Sequence, residues 1–339
     1  MAHAGWRIST MIRIIEAKGD YYECGKTFGS LCAENIAYRI AQELPGTTVE
    51  TYRKELSVVD QTCRILYPDY VRELEGIADG SGVDYWTLLL LNTPELMARH
   101  QGCTTIAVSN RKEQYVVHNE DGGATERSED CVLLHYVLPD RSFYAFSYAG
   151  ELAGGSYSWN NTGLYLSVNY LKPIHLDFSG RVSRNFVARK IIEAKSIKDA
   201  IYILEHGQDV SGYHYYMGQG DKLVSIENFQ NDVSVKEVVG VDIHANHYLH
   251  DKFIQKASGK PNSLVRQRRA EELVRKGTEP IQVLVDRENL PDAICTEFGE
   301  GLHTISTIGF YPQENIVKLY KPETLEIEAE FPLDTISHV

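Results

Sequence analysis

The sequence predicts an α+β protein in which helices pack on the outer faces of antiparallel sheets. Three observations lead to this prediction. Helical periodicity dominates the first 100 residues, strand-like segments rich in β-branched and aromatic residues follow from residue 104, and helical stretches interrupt those strands. Because no internal repeat or low-complexity linker divides the chain, we expect one compact domain whose helical N-terminal region ends near residue 102.

The N-terminal region begins with a short strand-like segment at residues 11–17 and continues with helices. Apolar residues recur at helical spacing over residues 33–44, 49–66, 70–78 and 84–97. Proline and glycine mark the ends of the first three helices, at Pro45, Pro68 and Gly80. The fourth helix starts at Asp84, whose side chain is typical of an N-cap.

Strands dominate the rest of the chain. The first four are expected at residues 105–109, 115–118, 132–138 and 142–148. Two helices at residues 186–194 and 197–206 precede four more strands at residues 213–217, 223–228, 233–239 and 242–247. A helix at residues 263–276 and strands at residues 304–311, 316–320 and 325–331 complete the pattern. Turn residues at hairpin spacing between the strands indicate antiparallel pairing.

Composition excludes several classes of function. The 339 residues include 34 Lys plus Arg against 47 Asp plus Glu, which gives a formal net charge of −13. Nucleic-acid-binding proteins carry a surplus of basic residues, so we expect no nucleic-acid partner. No apolar stretch approaches the ~20 residues of a membrane span, and residues 1–19 lack the uninterrupted apolar segment of a secretory signal. We therefore expect no membrane partner and a cytoplasmic location.

The six cysteines are too sparse for a disulfide scaffold, and one of them stands where the helical region gives way to the first strand. This is Cys103, in the string GCTT at residues 102–105. Gly102 tolerates the strained backbone that a thiol attack on the preceding carbonyl requires. Such an N-to-S acyl shift, followed by hydrolysis, would free an α-amine with an ordinary pKa of about 7.7–8.0, which can act as base to its own thiol. A buried strand cysteine without a catalytic role is the alternative.

Four strings, in order along the chain, resemble the acyl-coenzyme A:isopenicillin N acyltransferase family, the C45 group of N-terminal-nucleophile (Ntn) hydrolases, and more distantly the choloylglycine hydrolases. They are DYYECG at residues 20–25, with Asp20 in place of the family's first glycine, LEGIADGSGVD at 74–84, NTPELM at 92–97 and GCTT itself. The resemblance implies a four-layer αββα sandwich. It also implies cleavage between Gly102 and Cys103 into a propeptide of residues 1–102 and a catalytic chain of residues 103–339, which stay associated in one domain.

The resemblance also implies roles for individual residues, with Cys103 as the nucleophile. In VHNED at residues 117–121, Asp121 would orient the new α-amine, and Glu120 replaces an aromatic residue of the penicillin branch and is closer to the branch that cleaves β-alanyl amines. HANHY at residues 244–248 would present the side-chain N–H of Asn246 to the oxyanion. NSLVR at residues 262–266 would bring Arg266 near the thiol, lower the thiol pKa and help orient Asp121.

Further residues are expected to bind substrate. Asn169, which follows the string NNTGL at residues 160–164, would hold the substrate or the nucleophile. In HTIS at residues 303–306, Thr304 and Ser306 share a face of the predicted strand and would line the pocket. The remaining pocket residues are expected to be Thr105, Glu120 and Tyr170.

A metal site is an alternative use of His244, His247 and His250. We disfavour it, because alternation along a strand puts His244 and His247 on opposite faces and no Cys or carboxylate pair completes a ligand shell. Surface histidines are the favoured interpretation. We expect neither a metal nor a cofactor.

The activity implied is that of a self-processing N-terminal-cysteine amidohydrolase or acyltransferase that acts on linear amide C–N bonds through a thioester. We favour hydrolysis of a small acyl amide over acyl-CoA-dependent N-acyl transfer, because no Gly-rich phosphate loop or basic cluster for CoA is evident. Two other readings stay open. One is an unprocessed ligand-binding homologue, and the other is a protease that pairs an internal Cys103 with a histidine. The sequence leaves open the acyl group, the amine and whether the protein forms a homo-oligomer.

Overall fold

The computed structural model describes residues 12–97, 102–172, 176–256, 261–298 and 301–334. In these ranges the chain forms two largely antiparallel sheets, of eight and six strands, with helices on their outer faces. The predicted α+β class is confirmed. Met11, with which the predicted first strand begins, and Gln101, which precedes the predicted processing site, lie outside the described residues.

The N-terminal region contributes a strand and five α-helices. They are β1 (Arg13–Lys18), α1 (Tyr21–Leu31), α2 (Ala33–Glu43), α3 (Arg53–Leu66), α4 (Pro68–Ser81) and α5 (Tyr85–Leu91). Helix α1 was not predicted. A capping box starts it, in which the Asp20 carboxylate accepts the Glu23 N–H and the Glu23 carboxylate accepts the Asp20 N–H. Gly25 and Gly29 allow α1 to lie directly on α4, since a Cβ on either would clash with a backbone carbonyl of α4.

The larger sheet contains eight strands, and the two at Tyr157–Asn160 and Tyr165–Tyr170 were not predicted. Their order is β1, β4 (Cys131–Leu138), β5 (Arg141–Tyr148), β6 (Tyr157–Asn160), β7 (Tyr165–Tyr170), β8 (Tyr213–Gln219), β9 (Lys222–Phe229) and β10 (Asp232–Glu237). β1 pairs with β4 in parallel, and the other neighbours are antiparallel. Residues of the predicted propeptide therefore form one edge of this sheet.

The smaller sheet carries Cys103, Glu120 and Asp121 on neighbouring strands at its centre. Its order is β11 (Gly240–His244), β2 (Gly102–Ser109), β3 (Gln114–Gly122), β12 (His303–Tyr311), β13 (Ile316–Tyr320) and β14 (Ile327–Pro332), and all neighbours are antiparallel. β2 lies between β11 and β3, but its pairing with β11 begins at Thr105, so the start of β2 at Gly102 and Cys103 pairs with β3 and not with β11.

Three apolar layers hold the four layers of secondary structure together. Alternate residues of both sheets, including Val116, Leu133 and Phe310, form the core between the sheets. Helices α1–α5, α6 (Arg184–Ile191) and α7 (Ile197–His206) cover the outer face of the larger sheet. Helices α8 (Pro261–Arg275) and α9 (Pro280–Val283) cover the smaller one. This order is the αββα sandwich that the resemblance implied. None of the helices in the described ranges is long and apolar enough to cross a membrane.

Candidate active site

Cys103 is the second residue of β2 and is almost fully buried, with 2% of its surface exposed. Its thiol faces the larger sheet and donates to Oε2 of Glu120 at 3.4 Å. Burial, followed by the negative charges of Glu120 and Asp121, raises the thiol pKa well above its ordinary value. Arg266 lowers this pKa, as predicted, but burial and the two carboxylates outweigh its effect.

Glu120 is held by side chains that sequence reasoning missed. The Tyr148 hydroxyl donates to Oε1 at 2.6 Å, and the Ser156 hydroxyl donates to Oε2 at 2.7 Å. His118 Nε2 lies 3.3 Å from the same Oε2. Alternation along β3 could have placed His118 beside Glu120, because residues two apart share a face of a strand. Tyr148 and Ser156 come from the other sheet and its following loop, so no local pattern points to them.

Asp121 lies on the opposite face of β3, toward α8. Its Oδ1 accepts the Thr304 hydroxyl at 2.9 Å, and its Oδ2 lies 3.7 Å from Nη1 of Arg266. Burial raises the pKa of Asp121 to about 6, because desolvation outweighs the attraction of Arg266 and the hydrogen bond from Thr304. Asp121 is therefore neutral below about pH 6 and becomes a carboxylate, able to pair with Arg266, above it.

Asn246 and Arg266 bind the backbone of Cys103. The Cys103 N–H donates to Oδ1 of Asn246 at 2.9 Å, and Arg266 Nη2 donates to the same oxygen at 2.6 Å. Arg266 Nη1 donates to the Cys103 carbonyl at 2.5 Å. Two donors converge on Asn246, so its amide oxygen faces Cys103 and its N–H group donates instead to the Tyr170 carbonyl at 3.0 Å. The Nδ2 group carries two N–H bonds, so donation by Asn246 to an oxyanion stays a prediction.

The start of α8 fixes these two side chains. Ser263, in the first turn, accepts the backbone N–H of Asn246 at 2.8 Å, and Arg266 follows one helical turn later on the same side. Asn246 lies beyond the end of β11 at His244, in a loop and not on the predicted strand. The loop leaves the Asn246 backbone N–H free of the sheet, and the helix start supplies its partner.

Asn169 is linked to Cys103 through other buried side chains. Its Nδ2 donates to the His244 carbonyl at 3.0 Å, and its Oδ1 accepts the Thr105 hydroxyl at 2.9 Å. Thr105 in turn lies 2.7 Å from Nδ1 of His118. Asn169 and Thr105 are both fully buried. Their connection to the thiol runs through His118, which contacts Thr105, and Glu120, which contacts both His118 and the thiol.

The prediction that Thr304 and Ser306 share a strand face is wrong. A β-bulge in β12 shifts the register between them, so that Thr304 pairs with Asp121 and Ser306 pairs with Glu120. Asp121 and Glu120 are consecutive in β3 and point to opposite sides of the sheet. Ser306 accordingly contacts the Tyr157 hydroxyl at 2.7 Å, between the sheets, while Thr304 contacts Asp121.

The histidines at 244, 247 and 250 are buried, which corrects the expectation of surface histidines. His244 Nε2 lies 2.9 Å from Glu227 Oε1, and the His244 ring stacks on His214 with centroids 3.5 Å apart. Across the described ranges, the side chains whose ligand atoms come close enough to hold a metal are Cys103, His118 and Glu120. This group was not among the predicted sites.

A pocket lies beside Glu120, at the junction of the larger sheet with the helical region. Its lining includes the hydroxyl residues that hold Glu120, together with polar and aromatic side chains: Pro94, Tyr148, Glu151, Ser156, Asn185 and Tyr213. The cavity has room for about one water molecule.

An αββα sandwich with a cysteine at the start of a central strand, bound by a carboxylate, an amide and an arginine, is the architecture of an amidohydrolase or acyltransferase. The model of the acyl-coenzyme A:6-aminopenicillanic acid acyl-transferase family matches residues 108–325, nearly two thirds of the chain. This protein belongs to that family. The matched span includes Asp121, Asn246 and Arg266 and begins after Cys103.

Two relatives show the range of activities in the family. A Drosophila melanogaster protein described as beta-alanyl-dopamine/carcinine hydrolase is 27% identical over 224 residues, which are 57% of each chain. The chain thus spans little more than half the length of that relative. The 40 kDa form of acyl-coenzyme A:6-aminopenicillanic-acid-acyltransferase from Emericella nidulans is 25% identical over 316 residues, 87% of each chain. The family therefore contains both a hydrolase and an acyltransferase.

Proposed function

We propose that this protein is an N-terminal-cysteine amidohydrolase, which activates itself by cutting the Gly102–Cys103 bond and then hydrolyses linear acyl amides through a thioester. The observation that carries the proposal is the set of contacts around Cys103. Its thiol contacts Glu120, its N–H is bound by Asn246 and its carbonyl by Arg266. A cysteine that only filled the core would need none of these polar side chains around it.

Gly102 supports the cleavage position. A Cβ at residue 102 would lie 3.0 Å from Leu302, 3.1 Å from Arg266 and 3.3 Å from Asp121, so the residue before the thiol is enclosed by the site. A side chain there would displace Arg266 or Asp121. Glycine is therefore the residue that lets both groups approach the bond to be cut.

Glu120 is the proposed base for the processing step. In the uncut chain the nitrogen of Cys103 is an amide and cannot accept the thiol proton, whereas Oε2 of Glu120 already accepts the S–H hydrogen bond. The thiolate adds to the Gly102 carbonyl carbon, the C–N bond breaks, and the proton on Glu120 passes to the departing nitrogen. Water then hydrolyses the thioester, which frees the carboxylate of Gly102 and restores the thiol.

In turnover the new α-amine of Cys103 takes the thiol proton. The thiolate adds to the substrate carbonyl, the amine leaves with that proton, and water resolves the thioester. Asn246 holds the α-amine through its side-chain oxygen, a positioning role beside the predicted oxyanion contact. Asp121, charged above about pH 6, holds Arg266 against the Cys103 carbonyl.

The acyl group is proposed to carry a positive charge, as a β-alanyl group does. Glu120 is 2% exposed, and among the described residues no Lys or Arg nitrogen lies within 4.0 Å of it. A buried carboxylate without a cation is unfavourable, so an ammonium group three bonds from the attacked carbonyl would find its partner there. The Drosophila relative, by its name, acts on a β-alanyl amine.

Freshly expressed protein tests the proposal. Electrophoresis should show two chains of roughly three tenths and seven tenths of the mass, and N-terminal sequencing of the larger should begin Cys-Thr-Thr-Ile. The processed protein should release amine from β-alanyl amides faster than from propionyl amides of the same amines. One uncut band together with no thiol-dependent amide hydrolysis would contradict the proposal.

Acyl transfer from CoA is the second candidate, favoured by the alignment with the Emericella acyltransferase over 87% of both chains. It is distinguished by supplying the processed protein with an acyl-CoA and an amine. Amide formation with stoichiometric release of free CoA, faster than hydrolysis of the same amide, would place this protein with the acyltransferases.

Glu120→Gln is expected to slow processing about 100- to 10,000-fold, the usual contribution of a positioned proton acceptor. The amide has the shape of the carboxylate but cannot take the thiol proton. The measurement is the half-life of the uncut chain after a pulse of synthesis. Glu113→Gln, an exposed glutamate between β2 and β3, is the matched control and should process normally. Processing of Glu120→Gln at the wild-type rate would exclude Glu120 as the base.

A further inference from the structure

Three side chains with metal-binding atoms converge between the sheets. Sγ of Cys103 lies 3.4 Å and Nε2 of His118 lies 3.3 Å from Oε2 of Glu120, and the three atoms are all within 4.8 Å of one another. Each residue is at most 2% exposed. A tetrahedral zinc ion holds sulfur, nitrogen and oxygen ligands about 3.3–3.6 Å apart, given its usual bond lengths. The distances from Oε2 to Sγ and to Nε2 fall within that range.

The hydrogen bonds around His118 place a proton on its Nδ1. The His244 carbonyl can only accept, so Asn169 turns its N–H group to it and its oxygen to Thr105. The Thr105 hydroxyl must therefore donate to Asn169 and accept from Nδ1–H of His118 at 2.7 Å. In the neutral ring the lone pair of Nε2 then points at the Glu120 carboxylate, and two acceptors face each other across 3.3 Å.

This arrangement requires a positive charge between the two groups. The partners of Glu120 among the described residues are two hydroxyls, the thiol and His118, and none is an Arg or Lys. A dication bound to the thiolate, the carboxylate and neutral imidazole gives a site with no net charge. A neutral cluster is far less costly to bury than a lone carboxylate.

We propose that Cys103, His118 and Glu120 bind one zinc ion. The atoms behind the ligands are already arranged as in zinc sites: Thr105 holds the distal nitrogen of His118, and Tyr148 and Ser156 hold the carboxylate of Glu120. Zinc binding releases the thiol proton and leaves a fourth position for water.

Zinc on this site would block the chemistry of Cys103. The bound thiolate is no longer free to attack Gly102 or a substrate, so the ion holds the protein inactive until it is removed. This regulatory consequence rests on the proposed function, whereas the binding of zinc does not.

The test titrates the purified full-length protein, first stripped with a chelator, with zinc in competition with a chromophoric chelator. We expect one zinc per chain. Cobalt(II) in place of zinc should give the near-ultraviolet charge-transfer band of a cobalt–thiolate bond. Cys103→Ser should lose that band, and His118→Ala should bind zinc at least ~100-fold more weakly, more than the 10- to 100-fold expected for loss of the supporting hydroxyl in Thr105→Val.

Control variants separate metal binding from loss of structure. His135→Ala removes a histidine of β4 that contacts Glu16. This variant should leave zinc affinity unchanged. A wild-type protein without the cobalt band, or a Cys103→Ser variant that binds zinc as tightly, would overturn the proposal. Either result would indicate that a proton on Nε2 of His118, rather than a metal ion, lies between His118 and Glu120. Zinc binding by a chain that neither processes nor hydrolyses amides would sustain this inference while the proposed function fails.

Discussion

Cys103→Ala is expected to accumulate as one uncut chain without amide hydrolysis. The substitution removes the sulfur that both attacks the Gly102 carbonyl and forms the thioester, so processing and turnover stop together. Loss of the nucleophile alone lowers the rate of a hydrolase by about 10⁶-fold. The measurements are electrophoresis of the fresh protein, with chain masses determined by mass spectrometry, and amine release from a β-alanyl amide.

Two further variants make this result specific. Cys24→Ala removes another fully buried thiol, whose Sγ contacts the Gly19 carbonyl in the N-terminal region, and should leave processing and activity intact. Cys103→Ser keeps the shape of the site, and because a hydroxyl is a poorer nucleophile its precursor should mature slowly or not at all. A Cys103→Ala chain that is still cut at Gly102 would show that another group performs the cleavage.

The sequence predicted the amphipathic elements well where local signals agree. Helix α7 matches its predicted range at both ends, because Ser196 caps its start and Gly207 follows its end. Helix α1 was missed because Gly25 and Gly29 occupy its contact with α4, where apolar residues would normally reveal a helix. Strands β6 and β7 are short and follow turn residues, so their strand identity comes from pairing with β5 and β8.

The candidate site shows the same division between local and long-range information. Cys103 was found from its position at the junction and from the family resemblance, and Glu120 and Asp121 from the resemblance. Tyr148 and Ser156 reach Glu120 from the other sheet, and this contact depends on how the two sheets pack rather than on any local pattern. The bulge that separates Thr304 from Ser306 is likewise a feature of pairing between strands, which hydrophobic periodicity does not report.

Arg266→Met is expected to lower the free energy of unfolding by about 3–5 kcal/mol near pH 8, the usual cost of removing one partner from a buried ion pair. Methionine keeps much of the side-chain volume but leaves Asp121 charged without a cation. Burial raises the pKa of Asp121 from its ordinary value of 3.8 to about 6. Its burial therefore lowers the free energy of unfolding as the pH rises from 3.8, and the full loss is present above pH 6. Without Arg266 that pKa rises further, so the cost at pH 8 grows.

The difference between Arg266→Met and its parent should therefore depend on pH. Near pH 5 Asp121 is protonated in both proteins, and the loss is confined to the hydrogen bonds to Cys103 and Asn246. Urea unfolding in the Cys103→Ala background, which keeps the chain uncut, measures this at pH 5 and pH 8. Arg268→Met, an exposed neighbour on α8, should change stability by less than about 0.5 kcal/mol. Adding Asp121→Asn to Arg266→Met should recover part of the loss at pH 8, because the buried charge disappears. An equal loss at both pH values would mean that Arg266 stabilises the fold through its hydrogen bonds, with no contribution from Asp121.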